Sequence, residues 1–117
     1  MVIDFRVNLF FAELPGFTAE CLRTASDEEF RSFQNELAAM PDSGDIIQGT
    51  GGLRKTRFKL AGRGKSGSAR VIYLWLPHAR CIVLFHFYTK QTKADLSAGD
   101  KKALREAVQI IKECYQP

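Results

Sequence analysis

The chain has 117 residues, 45% apolar and 26% charged, with a formal net charge of +4. That is the size and balance of one globular domain, residues 1–117, with one modest core. No apolar run approaches the ~20 residues of a membrane-spanning helix, and the first residues lack the head and apolar stretch of a signal peptide, so a cytoplasmic protein is expected. Cys21, Cys81 and Cys114 are far apart, odd in number and not arranged as CxxC. They read as small hydrophobes, neither a disulfide framework nor a zinc pattern, and no metal or other cofactor is expected. The charge is divided: residues 1–45 hold nine acids and three bases, residues 46–117 fourteen bases and four acids. Such asymmetry points to a polyanionic partner on one side of the molecule, or to a merely solvated surface.

In chain order, VIDFRVNLFF (2–11) alternates Ile3, Phe5, Val7, Leu9 and Phe11 with polar residues, which predicts one half-buried strand. Pro15 and Gly16 break the pattern, and FTAECLRTA (17–25) predicts a short helix. A second helix is predicted over 26–40. Ser26 and Glu29 form a capping box, three acids suit the positive end of the helix dipole, and Phe30, Phe33 and Leu37 make one apolar stripe before Pro41. The Pro, Asp, Ser and Gly of 41–52 predict a loop. LRKTRFKL (53–60), ARVIYLWL (69–76) and RCIVLFHFYTK (80–90) then read as an antiparallel meander. The last two runs are apolar on both faces, as covered central strands should be. From Ser97, which Asp100 can help to cap, Leu104, Val108, Ile111 and Tyr115 recur at helical spacing. The architecture is α+β: a small antiparallel sheet with N-terminal helices and a C-terminal helix packed on it.

The distinctive stretch is 54–70, with seven Lys or Arg and no acid or His. On a strand over 53–60, Lys55, Arg57 and Lys59 share one face, with neighbours about 7 Å apart. Arg54, Thr56, Phe58 and Leu60 share the other. Like charges so close repel, and a nucleic-acid backbone is an anion with a matching repeat. The loop 61–69 adds Arg63 and Lys65 among glycines, either as a hairpin tip or as an anion-binding loop, without the P-loop pattern. Arg70 opens an apolar strand, where it calls for a bound anion or an ion pair with an N-terminal acid. Cleavage of RNA by its own 2′-hydroxyl needs a group to take the 2′ proton, charge to stabilise the phosphorane, and a proton for the leaving 5′ oxygen. His86 sits in an apolar strand and reads as a core residue, which leaves Lys and Arg. A lysine among cations has its pKa pushed down, and arginine clamps a phosphate with two N–H groups. Such groups are slow unless the RNA is held in attack geometry.

GDIIQGTGGLRKTRFKLAGRGKSGSARVIYLWL, then FYTKQTKADLS and KKALREAV, resemble the RelE-like toxins of bacterial toxin–antitoxin pairs, within the RelE/ParE superfamily and nearest the HigB-type branch. QGTGGLRK is the most specific piece, and the likeness runs from about Phe30 to the last helix. The resemblance implies a compact sheet with helices on one side. It implies an endoribonuclease (mRNA interferase) that cuts translated mRNA in the ribosomal A site, without a metal, the ribosome supplying the positioning. It also implies a cognate antitoxin, a helix-turn-helix DNA-binding protein, as partner besides ribosome and mRNA, and no membrane. By position, the catalytic set falls on Lys55, Arg57, Arg70 and Lys90, with Lys55 at the 2′-hydroxyl, the two arginines on the phosphate and Lys90 or a neighbour at the leaving oxygen. Arg54, Lys59, Arg63 and Lys65 would hold RNA backbone. The best-known branch has an arginine where Gln91 stands and a base-stacking tyrosine for which Tyr88 and Lys93 are the candidates here. The alternatives are a non-catalytic RNA- or ribosome-binding module and a gyrase-inhibiting, ParE-like toxin; the latter fits a row of cations poorly.

Overall fold

A computed structural model describes residues 2–4, 9–61, 68–89 and 96–115. The elements are β1 (Val2–Asp4), β2 (Leu9–Glu13), α1 (Pro15–Thr24), α2 (Asp27–Ala39), β3 (Asp45–Ile46), β4 (Arg54–Phe58), β5 (Ala69–Leu76), β6 (Cys81–Tyr88) and α3 (Ala98–Cys114). The strands form one six-stranded sheet in the order β1-β2-β6-β5-β4-β3. The α+β architecture and the β4-β5-β6 meander are as expected.

Three expectations about the strands need correction. The N-terminal run is two strands: β1 and β2 pair antiparallel, with Val2 opposite Phe11. Leu9 and Phe11 are buried as the alternation requires, while Phe5 and Val7 lie outside the described residues. β2 also pairs with β6 in parallel, Phe10 opposite Cys81, so the sheet is mostly but not wholly antiparallel. Within the predicted loop 41–52, Asp45 and Ile46 add an edge strand to β4.

Local rules explain the helices. Pro15 starts α1, where its missing N–H costs nothing, and Phe17 and Cys21 face inward. Ser26 Oγ accepts from Glu29 N at 3.1 Å and Glu29 Oε1 from Ser26 N at 2.8 Å, the predicted box. Ser97 and Asp100 do the same for α3, both bonds at 3.0 Å. Arg80, at φ 50°, closes the β5–β6 hairpin after the short 3-10 turn Pro77–Ala79.

The helices take opposite faces of the sheet, not one. α1 and α2 bury Phe17, Phe33 and Leu37 against Phe58, Val71, Tyr73, Leu84 and Phe87. Phe58 meets Phe33 at 4.8 Å, stacked, and Phe87 at 5.0 Å, edge-on, between ring centroids. α3 lays Val108, Leu104 and Ile111 on Leu53, Leu74, Leu76, Cys81 and Val83 across the other face. The two-sided apolar character of β5 and β6 predicted this cover. Arg105 and Lys112 of α3 donate to the carbonyls of Gly49 (3.0 Å) and Gly51 (2.8 Å). They tie down the GTGG segment, whose Gly49, Gly51 and Gly52 all have positive φ. No helix among the described residues is long and apolar enough to cross a membrane.

Candidate nucleic-acid interface

The site begins with the alternation of β4. Phe58 is fully buried and Lys55 and Arg57 are exposed, so the two cations point away from the aromatic core. Cross-strand register then sets their neighbours. Arg57 lies opposite Arg70 on β5, and Arg70 opposite Tyr88 on β6. One step along, Asp45, Lys55, Ile72 and His86 stand opposite one another across β3, β4, β5 and β6. Paired residues share a face, here the α3 side of the sheet, to which Ile72 belongs.

The result is an open cleft of about 240 Å³ lined by Lys55, Arg57, Arg70, Asp45, Gly44 and Ser43. Among the described residues, none of Lys55, Arg57 and Arg70 has a carboxylate within ion-pair distance. The Arg70 guanidinium donates to the carbonyl of Ala69 at 3.3 Å. Three cations converge from two strands on a solvent-open depression, an arrangement suited to an anion with several oxygens. No group of three His, Cys, Asp or Glu that could hold a metal occurs among the described residues.

Other expected site residues fall elsewhere. Lys59 lies past the end of β4, with its ammonium 3.7 Å from Glu36 of α2. The expected row of Lys55, Arg57 and Lys59 therefore has two members, because the strand ends before its third step. Arg54 takes the other face, half-buried, and donates to the carbonyls of Asp42 (2.9 Å) and Gly44 (2.8 Å). It braces one wall of the cleft from behind. Tyr88 lies in the Arg57–Arg70 row. Arg63, Lys65, Lys90, Gln91 and Lys93 lie outside the described residues.

Two groups escaped the sequence reading. His86 is only half-buried and stands on the cleft face, its ring 5.7 Å from that of Tyr88. A bulge causes this: Ile72 pairs with His86 but Tyr73 with Leu84, so Phe85 is an extra residue that shifts the alternation. In a strand apolar on both faces, no local pattern could reveal that shift. Asp45 is the other, an acid brought beside an acid-free stretch by a strand of two residues. Its only signal was its place in GDII, before the glycines.

Residues 22–116 match the family described as the RelE toxin of the RelE/RelB toxin–antitoxin system. The chain belongs to that family. The fold resembles a mutant of the E. coli toxin RelE in the free state, with a TM-score of 0.56 at 15% identity, covering 88% of this chain and 97% of that one. It also resembles a chain of the intact E. coli RelBE toxin–antitoxin complex, with a TM-score of 0.50 at 15% identity, covering 69% and 95%.

Proposed function

We propose that this protein is a ribosome-dependent endoribonuclease of the HigB-type branch, acting in the cytoplasm on translated mRNA and neutralised by a cognate helix-turn-helix antitoxin. The observation that carries the reading is the convergence of Lys55, Arg57 and Arg70 on one open cleft without carboxylate partners among the described residues. The crystallised complex of the E. coli relative with its antitoxin supports the partner.

In the reaction, the ribose 2′ oxygen attacks the adjacent phosphorus while the bond from phosphorus to the 5′ oxygen breaks. The products are a 2′,3′-cyclic phosphate and a 5′-hydroxyl, and no water or metal is consumed. Lys55 polarises the 2′-hydroxyl and draws off its proton. Arg57 and Arg70, side by side across β4 and β5, hold the non-bridging oxygens and stabilise the charge that grows on them. Tyr88 and His86 extend these rows on β6 and are candidates to return a proton to the leaving oxygen; Lys90, the candidate by family resemblance, lies outside the described residues. Lysine and arginine are weak proton-transfer agents, so most of the acceleration comes from positioning on the ribosome.

The experiment is induction of the chain without its antitoxin, followed by primer-extension mapping of mRNA ends. Wild type is expected to arrest growth and cut within translated regions, and Lys55→Ala and Arg70→Ala to lose most of both effects. Undiminished cleavage by both variants would end the catalytic assignment. Salt-sensitive RNA binding without cut ends would favour a binding module, and growth arrest with intact mRNA and inhibited gyrase the ParE-like alternative.

A further inference from the structure

Asp45 has no place in the chemistry proposed above, yet it lines the cleft. It opens β3 directly opposite Lys55, and its side chain is exposed. No ion pair or hydrogen bond occupies its carboxylate among the described residues. A carboxylate in a phosphate-binding cleft repels the phosphate, so whatever sits against it must be something other than an anion.

The turn that delivers Asp45 is firmly held. Tyr73 Oη donates to the Pro41 carbonyl at 2.7 Å and accepts from Gly44 N at 2.9 Å. Arg54 adds its two bonds to Asp42 and Gly44 from the same side. Gly44 is needed there, because a Cβ would come within 2.8 Å of Tyr73 Oη. Four hydrogen bonds and one close approach therefore fix where the chain emerges into β3.

We infer that Asp45 is a specificity-determining residue that accepts a hydrogen bond from the amino group of a nucleobase next to the scissile phosphate. The inference rests on the reading of the cleft as an RNA site. A ribonucleotide offers both kinds of group that the cleft is built to meet: anionic oxygens for Arg57 and Arg70, and base N–H donors for Asp45. Strand spacing and rise put the Cα atoms of Arg70 and Asp45 roughly 12 Å apart on one face, which lets their side chains address the two ends of one nucleotide. An ionised carboxylate only accepts. Cytosine N4, adenine N6 and guanine N2 donate to it, whereas the Watson–Crick edge of uracil presents two carbonyl oxygens around a single N–H. Single-stranded RNA exposes that edge for reading. The cleft therefore selects amino-bearing bases and disfavours uracil.

Cytosine and uracil carry the same charge and nearly the same shape, so their ratio isolates the contact. The test maps mRNA cut ends in cells after induction of wild type, Asp45→Asn, Asp45→Ser and Asp45→Glu. The ratio of cytosine to uracil at each flanking position is normalised to the transcripts. Wild type should favour cytosine at one flanking position by on the order of tenfold. Asn and Ser, which can donate to uracil O4, should bring that ratio close to one, and Glu should keep it above one. Wild-type cuts with no cytosine preference, or the same preference in all four proteins, overturn the inference and leave the nuclease reading standing. Loss of all cuts in all three variants, with accumulation as for wild type, gives Asp45 to the chemistry and overturns it too. A variant that fails to accumulate is replaced in the comparison by its partner, Ser for Asn or Asn for Ser. If wild type makes no cuts at all, the nuclease reading itself has failed, and this inference with it.

Discussion

On one face of the sheet, α1 and α2 seal Phe17, Phe33, Phe58 and Phe87 into a continuous aromatic core. On the other, α3 covers the part of the sheet around Leu74, Leu76, Cys81 and Val83 and leaves the far rows of β4 and β5 open. Charge follows cover. Phe58 and Arg57 are consecutive residues of the same strand, yet one is fully buried and the other exposed at the cleft. The sealed face supplies rigidity, and the half-covered face uses it to hold like charges side by side.

The contrast breaks first on the sealed face. Phe58→Ala removes the ring between Phe33 and Phe87 and should cost about 3–5 kcal/mol, read as a lowered urea midpoint. On the cleft face the order reverses. Lys55→Ala and Arg70→Ala should each lower mRNA cleavage by on the order of 10²–10³-fold, while the unfolding free energy measured in urea changes by less than about 0.5 kcal/mol. A large stability loss from either would mean that these cations hold the fold together.

Tyr73 connects the two faces, since its ring lies in the aromatic core and its hydroxyl fixes the turn before Asp45. Tyr73→Phe should cost up to about 3 kcal/mol, because a buried N–H and a carbonyl lose their partner, and it should also alter cleavage. An effect on stability alone would show that the cleft wall stands without its brace.

Alkaline titration probes the sealed face again. Burial, with help from Glu13 and Glu29, pushes the Cys21 thiol up to about 11 from an ordinary 9.0. Burial also raises Tyr73 above its ordinary value. The folded state then holds protons that the unfolded chain has released. Stability is complete below about pH 9 and falls, by on the order of 2 kcal/mol, as pH rises toward 11. Chemical denaturation at about pH 8 and about pH 10.5, on either side of the ordinary thiol value, checks the sign. The smallest effect belongs to Lys59→Ala. Its partner Glu36 is exposed, so stability should move by less than about 0.5 kcal/mol, and cleavage should keep most of its rate, since the ammonium lies toward α2.

Much of the fold was legible in short stretches. Ser26 with Glu29 and Ser97 with Asp100 announced two helix starts because a capping box closes within four residues. The alternation of β4 separated Phe58 from Lys55 and Arg57 because period two is a property of one strand. Of the site, Lys55, Arg57 and Arg70 could be picked out, since cations without neighbouring acids are visible along the chain.

What the amino-acid order determined alone was therefore the set of local elements, the doubly covered character of β5 and β6, and an acid-free run with one cationic face. Tertiary structure alone decided that β2 joins β6 in parallel, that Phe85 bulges and turns His86 toward the cleft, that Lys59 leaves the row for Glu36, and that Asp45 stands beside Lys55. The physical reason is the range of the interactions. Caps and periodicity act over a few bonded residues, whereas register is set by hydrogen bonds and packing between strands far apart in the chain, where a shift of one residue exchanges the faces.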